Sequence, residues 1–128
     1  MEKTIDILGY NGVRMRYCAA TETGFERLTG KPISIFLPKT QNVNGEVTTT
    51  APEAATIDYL TLAMAGIIAA YARTNEEAPI EMDALLYEAR PEDIVLLITT
   101  ICELRNDWYK IPAVIQADQQ TEESPKNA

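Results

Sequence analysis

Not one histidine occurs in this chain of 128 residues. That excludes the Ser-His and Cys-His catalytic pairings and every histidine-bound metal, and removes the side chain that titrates nearest neutrality. Cysteine is scarce: Cys18 and Cys102 stand in no CxxC spacing. Neither a zinc site nor an exported disulfide scaffold is expected, and both are read as buried thiols in apolar surroundings. No GxxxxGK[ST] or GxGxxG run is present to cradle a phosphate. Basic residues are few, 11 against 19 acidic ones, for a net charge of −8. Without a basic stripe to neutralise phosphates, nucleic acid is not an expected partner; the acidic balance mostly marks solubility and is compatible with a basic partner.

Long apolar runs are missing as well. A membrane-spanning helix needs about 20 apolar residues, and the uncharged run between Asp58 and Arg73 is shorter than that. Glu2 and Asp6 stand where an export signal would be basic, so neither a signal nor a membrane span is expected. Carboxylates do occur in pairs, Glu76/Glu77, Glu92/Asp93 and Glu122/Glu123. Each pair is adjacent in sequence, and adjacent helical residues point in different directions. They read as solvated faces or partners of helix dipoles rather than as an acid–base couple. Glu103 and Asp107 could share a face, but Arg105 beside them marks ordinary surface charge. No catalytic residue, cofactor or metal is expected, and the chain reads as a non-enzyme.

What the chain does have is a core. Hydrophobic residues make up 46% of it, enough for one domain with a genuine interior. Residues 57–72 are the most apolar stretch. Ala, Leu and Met favour helix there, and Ile57, Leu60, Met64, Ile67 and Tyr71 recur at helical spacing. The remaining positions are small, among them Ala63, Ala65, Gly66, Ala69 and Ala70. A helix apolar on every side is expected at the centre of a domain, touched by several neighbours. Thr50 with Glu53, or alternatively Thr56, is the expected cap.

The rest arranges itself round that helix. Residues 3–18 read as a β-hairpin, with Val13, Met15 and Tyr17 alternating with Arg14 and Arg16 and the turn at residues 9–12. Residues 21–29 read as a short helix capped by Thr21, with Phe25 and Leu28 on one face and Gly30 as its stop. After Ile33, Ile35, Phe36 and Leu37, residues 38–50 are polar and turn-rich, expected as a mobile loop with room for a small Asn44-Gly45 hairpin. Residues 80–88 give a short helix with Leu85 and Leu86 facing inward. A helix restarting at Pro91 carries the stripe Ile94, Leu97, Ile98, Ile101, Leu104 and Trp108. The domain is expected to span residues 1–115, and residues 116–128 to form a disordered acidic tail. The fold class is α+β, an N-terminal hairpin followed by about four helices.

The order strand, turn, strand, short helix, alanine-rich helix, short helix, long helix resembles the tail assembly chaperones of long-tailed bacteriophages and their prophages. The residues that carry the likeness are Leu28-Thr29-Gly30, Ile80 to Leu86, and Glu103-Leu104 followed by Trp108. It covers residues 3–111, and residues 38–50 are longer than that family's pattern. The resemblance implies a protein without catalytic residues in the bacterial host's cytoplasm. It implies binding to the long helical tape measure protein, keeping it soluble, and assisting tail tube subunits to polymerise round it. It also implies a frameshift-extended form beside the short one. Phe36, Leu37, Trp108, Tyr109, Ile111 and Ile115 are the candidate partner-binding residues, bulky apolar groups beside polar segments. Packing on the domain's own core stays open for them, as does self-association into a homo-oligomer. Two other functions stay open: a structural tail or head–tail joining protein retained in the virion, and a small acidic regulator of a host protein.

Overall fold

The computed structural model describes residues 1–110. In chain order it contains β1 (Glu2–Ile7), β2 (Tyr10–Arg16), α1 (Ala19–Thr29), a short 3-10 helix (Ile33–Phe36), β3 (Lys39–Val43), β4 (Glu46–Thr50), α2 (Thr56–Ala72), α3 (Met82–Tyr87) and α4 (Pro91–Trp108). The fold is α+β: an N-terminal antiparallel hairpin, a second two-stranded sheet and four α-helices. The expected tail at residues 116–128 lies outside the described residues.

The first hairpin turns earlier than the sequence suggests. Ile7 pairs with Tyr10, so the loop is only Leu8-Gly9, and both have positive φ (55° and 81°). Two-residue hairpin loops with positive φ at both positions match the strands' right-handed twist, and Gly9 adopts that conformation without strain. Tyr10, Asn11 and Gly12 therefore belong to β2 rather than to the turn. The register shifts between Ile5 and Ile7, and there the Gly12 N–H donates to the Asp6 carboxylate at 2.8 Å. Beyond the bulge the expected alternation holds: Ile5, Val13, Met15 and Tyr17 are buried and Arg14 and Arg16 lie on the wetter face.

Residues 38–50 are not an irregular loop. β3 and β4 pair over five residue pairs from Lys39↔Thr50 to Val43↔Glu46, closed by Asn44-Gly45 with φ of 56° and 84°. Every residue of both strands is exposed. Composition reads such a stretch as loop because it has no apolar face, but backbone pairing needs none.

Three helices start in the same way; α4 begins at Pro91 as expected, whereas α1 and α2 do not use the caps the sequence pointed to. The third residue of each helix accepts the backbone N–H of the residue before its start. Thr21 Oγ1 takes Cys18 at 3.2 Å, Asp58 Oδ2 takes Ala55 at 2.8 Å, and Asp93 Oδ2 takes Arg90 at 3.0 Å. This is the back-reaching half of a capping box, which satisfies an amide the helix cannot. Thr21 is thus inside α1, buried, with its own hydroxyl donating to the Arg16 carbonyl at 2.7 Å. Gly30 ends α1 as expected, in the left-handed conformation with its N–H on the Glu26 carbonyl.

The core lies round α2. That helix packs against α1, β2, α4 and α3, and Leu60, Leu62, Ala63, Met64, Ala65, Ile67 and Ala70 are all buried. The inner face of the first hairpin closes one side, Leu97, Ile101 and Leu104 of α4 another, and Phe25 of α1 a third. Cys18 and Cys102 are free and half-buried, so the expectation of two fully buried thiols is corrected. Among the described residues no helix is long and apolar enough to cross a membrane.

Gly66 decides how close β2 comes. A Cβ at this position would sit 3.0 Å from Ile101 Cδ1, 3.1 Å from the Arg16 carbonyl oxygen and 3.1 Å from Met15 Cγ. Helix propensity alone favours Gly66→Ala by about 1 kcal/mol. The crowded atoms include strand backbone, so overpacking, typically about 1–3 kcal/mol, wins. Gly66→Ala is expected to lower stability in urea titration; an unchanged midpoint counts against the close approach.

Asp58 supports a second joint. Its carboxylate takes the Ala55 N–H and also the Lys31 ammonium at 2.9 Å, tying the end of α1 to the start of α2. Burial pushes this acid up, but the Ala55 amide and Lys31 outweigh it and hold the carboxyl below its ordinary value. A depressed folded pKa adds stability that is present above the unfolded value, about 3.9, and is lost as pH falls through the folded one. Asp58→Ala is expected to cost about 1–2 kcal/mol at neutral pH. The gap to the parent protein should narrow as pH falls below about 4. A gap independent of pH would remove the charge from the account.

Candidate partner-binding groove

Helix geometry forces apolar side chains outward here. Successive helical residues point about 100° apart, so two adjacent large apolar residues cannot both face one core. Ile67 is fully buried while its neighbour Ile68 is 44% exposed, and Leu85 is buried while Leu86 is 44% exposed. Leu28, three residues after buried Phe25, is 59% exposed, and the expectation that Leu86 faces inward fails. Ile57 at the start of α2 is exposed too.

These outward residues meet. Leu28, Ile57, Ile68 and Leu86 line one cavity of about 630 Å³ between the end of α1, the length of α2 and the segment running through Ala78, Ile80 and Met82. Buried Met64 and Ile80 and the Thr61 hydroxyl contribute to its lining. Thr61 donates that hydroxyl to the Ile57 carbonyl at 2.7 Å, so the one polar group of α2 in the cavity is satisfied within its own helix. Leu28 and Ile68 also line a second, smaller hollow with Ala20, Gly24, Ala65, Ala69 and Ala72. The two hollows adjoin at those shared residues. Small side chains keep the α1–α2 seam shallow; a Cβ on Gly24 would lie 3.7 Å from that of Ala65, in ordinary contact.

None of the four candidate residues that the structure describes lies in this groove. Phe36 is buried, 4% exposed, with its ring centroid 5.0 Å from both Phe25 and Tyr59 in edge-to-face contact. It is a core residue because the 3-10 helix turns it back under α1, and its candidacy as a partner contact is withdrawn. Leu37, the next residue, is exposed but lines no cavity with the groove residues. Trp108 and Tyr109 are part-exposed at the end of α4, their rings 6.1 and 6.4 Å from that of buried Tyr17. Ile111 and Ile115 lie outside the described residues.

The aromatic end of α4 has its own polar centre. The Tyr17 hydroxyl donates to Glu22 at 2.8 Å and the Tyr109 hydroxyl donates to the same carboxylate oxygen. Burial first, then the Glu22 carboxylate, pushes both phenols above their ordinary range, so both stay protonated near neutrality. The Arg105 guanidinium lies 5.2 Å from the Tyr109 ring centroid. This cluster ties α1, β2 and α4 together. Among the described residues no group of three or more acidic or cysteine side chains is placed to hold a metal.

The signal that could have found the groove was present in the sequence as the doublets Ile67-Ile68 and Leu85-Leu86. A second exposed apolar strip, Val95 and Leu96 with Pro91 and Thr99, follows the same logic on α4, where Leu97 takes the inward position. The chain matches no protein-family model, no curated protein and no solved structure.

Truncating Phe36 tests the reassignment. Phe36→Ala should cost about 3–5 kcal/mol, the range for a buried aromatic. Leu37→Ala, next to it but exposed, should stay within about 0.5 kcal/mol. Thermal melts of the two variants that gave equal small losses would return Phe36 to the surface.

Proposed function

We propose that this protein is a non-enzymatic helix-binding chaperone, and specifically a tail assembly chaperone of a long-tailed bacteriophage or prophage. In this role it acts in the host cytoplasm, holds apolar helical segments of the tape measure protein, and releases them as tail tube subunits assemble. The observation that carries the reading is the groove whose exposed lining is Leu28, Ile57, Ile68 and Leu86. Large apolar side chains gathered in one groove, on a chain whose charge is otherwise high, favour a protein contact over a solvent surface. An amphipathic helix laid into an apolar groove is a recurrent way of meeting such a surface. The element order that resembles tail assembly chaperones supports the choice of partner. The absence of histidine removes the commonest catalytic arrangements.

A second reading has its own observation. β3 and β4 pair only with each other, so each leaves one backbone edge without a strand partner among the described residues. Exposed edges are sites for strand addition, which suits a structural tail or head–tail joining protein that stays in the virion.

Co-expression separates the two. With a chaperone, the tape measure protein encoded beside this gene should stay in the soluble fraction and co-purify with it, and finished particles should lack this chain. Leu28→Asp, which places a charge at the exposed lip of the groove, should abolish that solubility while leaving the melting temperature within a few degrees. A tape measure protein that stays insoluble beside the parent protein, with this chain recovered from finished particles, would replace the chaperone reading with the virion one.

A further inference from the structure

The two adjoining hollows carry opposite charge on their outer sides. On the α1 side Arg27 is exposed and lines the alanine-floored hollow. On the far side Glu77 and Glu81 are exposed and line the main cavity. The acidic side continues past Glu81, which borders an adjoining small cavity with Asp83 and Glu88. Neither Arg27, Glu77 nor Glu81 has an ion-pair partner among the described residues, although seven other basic side chains do. Between the walls α2 supplies apolar lining from Ile57 to Ala72, a length of about 22 Å at 1.5 Å per residue. That length suits about four turns of a bound helix.

We propose that the groove selects its occupant by charge as well as by apolar fit. The occupant is an amphipathic helix of a partner protein, with Lys or Arg flanking its apolar stripe on the side of Glu77 and Glu81 and acidic residues on the side of Arg27. The proposal rests on the groove being the partner site. Rim charges contribute little affinity one by one, but their pattern discriminates between partners and steers encounter. Opposite signs on the two walls also set direction. Turning a helix end for end with the same face down exchanges its flanks, so only one direction matches both walls.

Two synthetic 16-residue helical peptides with the same leucine stripe serve as probes. The first carries lysine on one flank and glutamate on the other; the second carries glutamate on both. Calorimetric titration of the full chain should give a dissociation constant roughly ten-fold lower for the first. In the double variant Glu77→Lys/Glu81→Lys the order should reverse. Both glutamates are exposed and unpaired, so the variant should melt with the parent. A nitroxide on the first peptide's N-terminus should broaden NMR signals at either the Ile57 end or the Ala72 end, not both. Equal binding of the two peptides to the parent protein overturns charge selection and leaves the groove as a helix site. A preference unchanged by the double variant also overturns it, because the chain's net charge then accounts for the ratio. Failure of both peptides to bind, including through dimerisation that covers the groove, removes the proposal and the groove reading together.

Discussion

The first hairpin closes on α2 because one position of that helix has no side chain. At Gly66 the Arg16 carbonyl, Met15 and Ile101 all stand where a Cβ would be in tight contact. Strand, central helix and α4 therefore meet at a single point. From there the rest of the packing follows. Met15 and Val13 reach the interior, Tyr17 is drawn under the end of α4, and α2 is left with neighbours on nearly every side. Protein interiors are packed like organic crystals, so a helix approached this closely on one side has little freedom to rotate. Its other faces are thereby fixed, including the one that carries Ile57, Met64 and Ile68 into the groove.

That rigidity explains which parts of the structure were legible in advance. A buried helix advertises itself by composition, and residues 57–72 did so almost to the residue, since α2 runs Thr56–Ala72. The alternation of Val13, Met15 and Tyr17 with arginines gave the hairpin's inner face for the same reason. Helix starts were harder. Asp58 and Asp93 act three residues past the cap position itself, and an acidic residue in a first turn is also what the helix dipole favours. The two roles share one signature, so the hydrogen bond could not be separated from the dipole by pattern. The exposed β3–β4 hairpin was legible only as a small hairpin inside a loop, because nothing in it is buried. Only Asn44-Gly45 marked its turn.

The candidate site was less legible than the fold, for a definite reason. Phe36 and Trp108 are bulky residues beside polar segments, but large aromatics bury the most area and tend to be taken into the interior. Phe36 went there, against Phe25 and Tyr59. Aliphatic residues left outside by helix geometry mark the groove instead. When a doublet such as Ile67-Ile68 or Leu85-Leu86 puts one member in the core, the other must lie roughly a quarter-turn away.

Leaving those residues outside carries a solubility hazard, and the charge distribution bears on it. Exposed apolar grooves invite indiscriminate association unless repulsion keeps copies apart. A net charge of −8 supplies that repulsion between copies of this chain. The same surplus favours a basic partner, and at the groove it becomes local: the wall opposite Arg27 is acidic through Glu77 and Glu81 and beyond it through Asp83 and Glu88. In the proposed role, net acidity and the groove act as one device: apolar residues would supply the attraction, and acidic residues would select which apolar helices come near enough to use it.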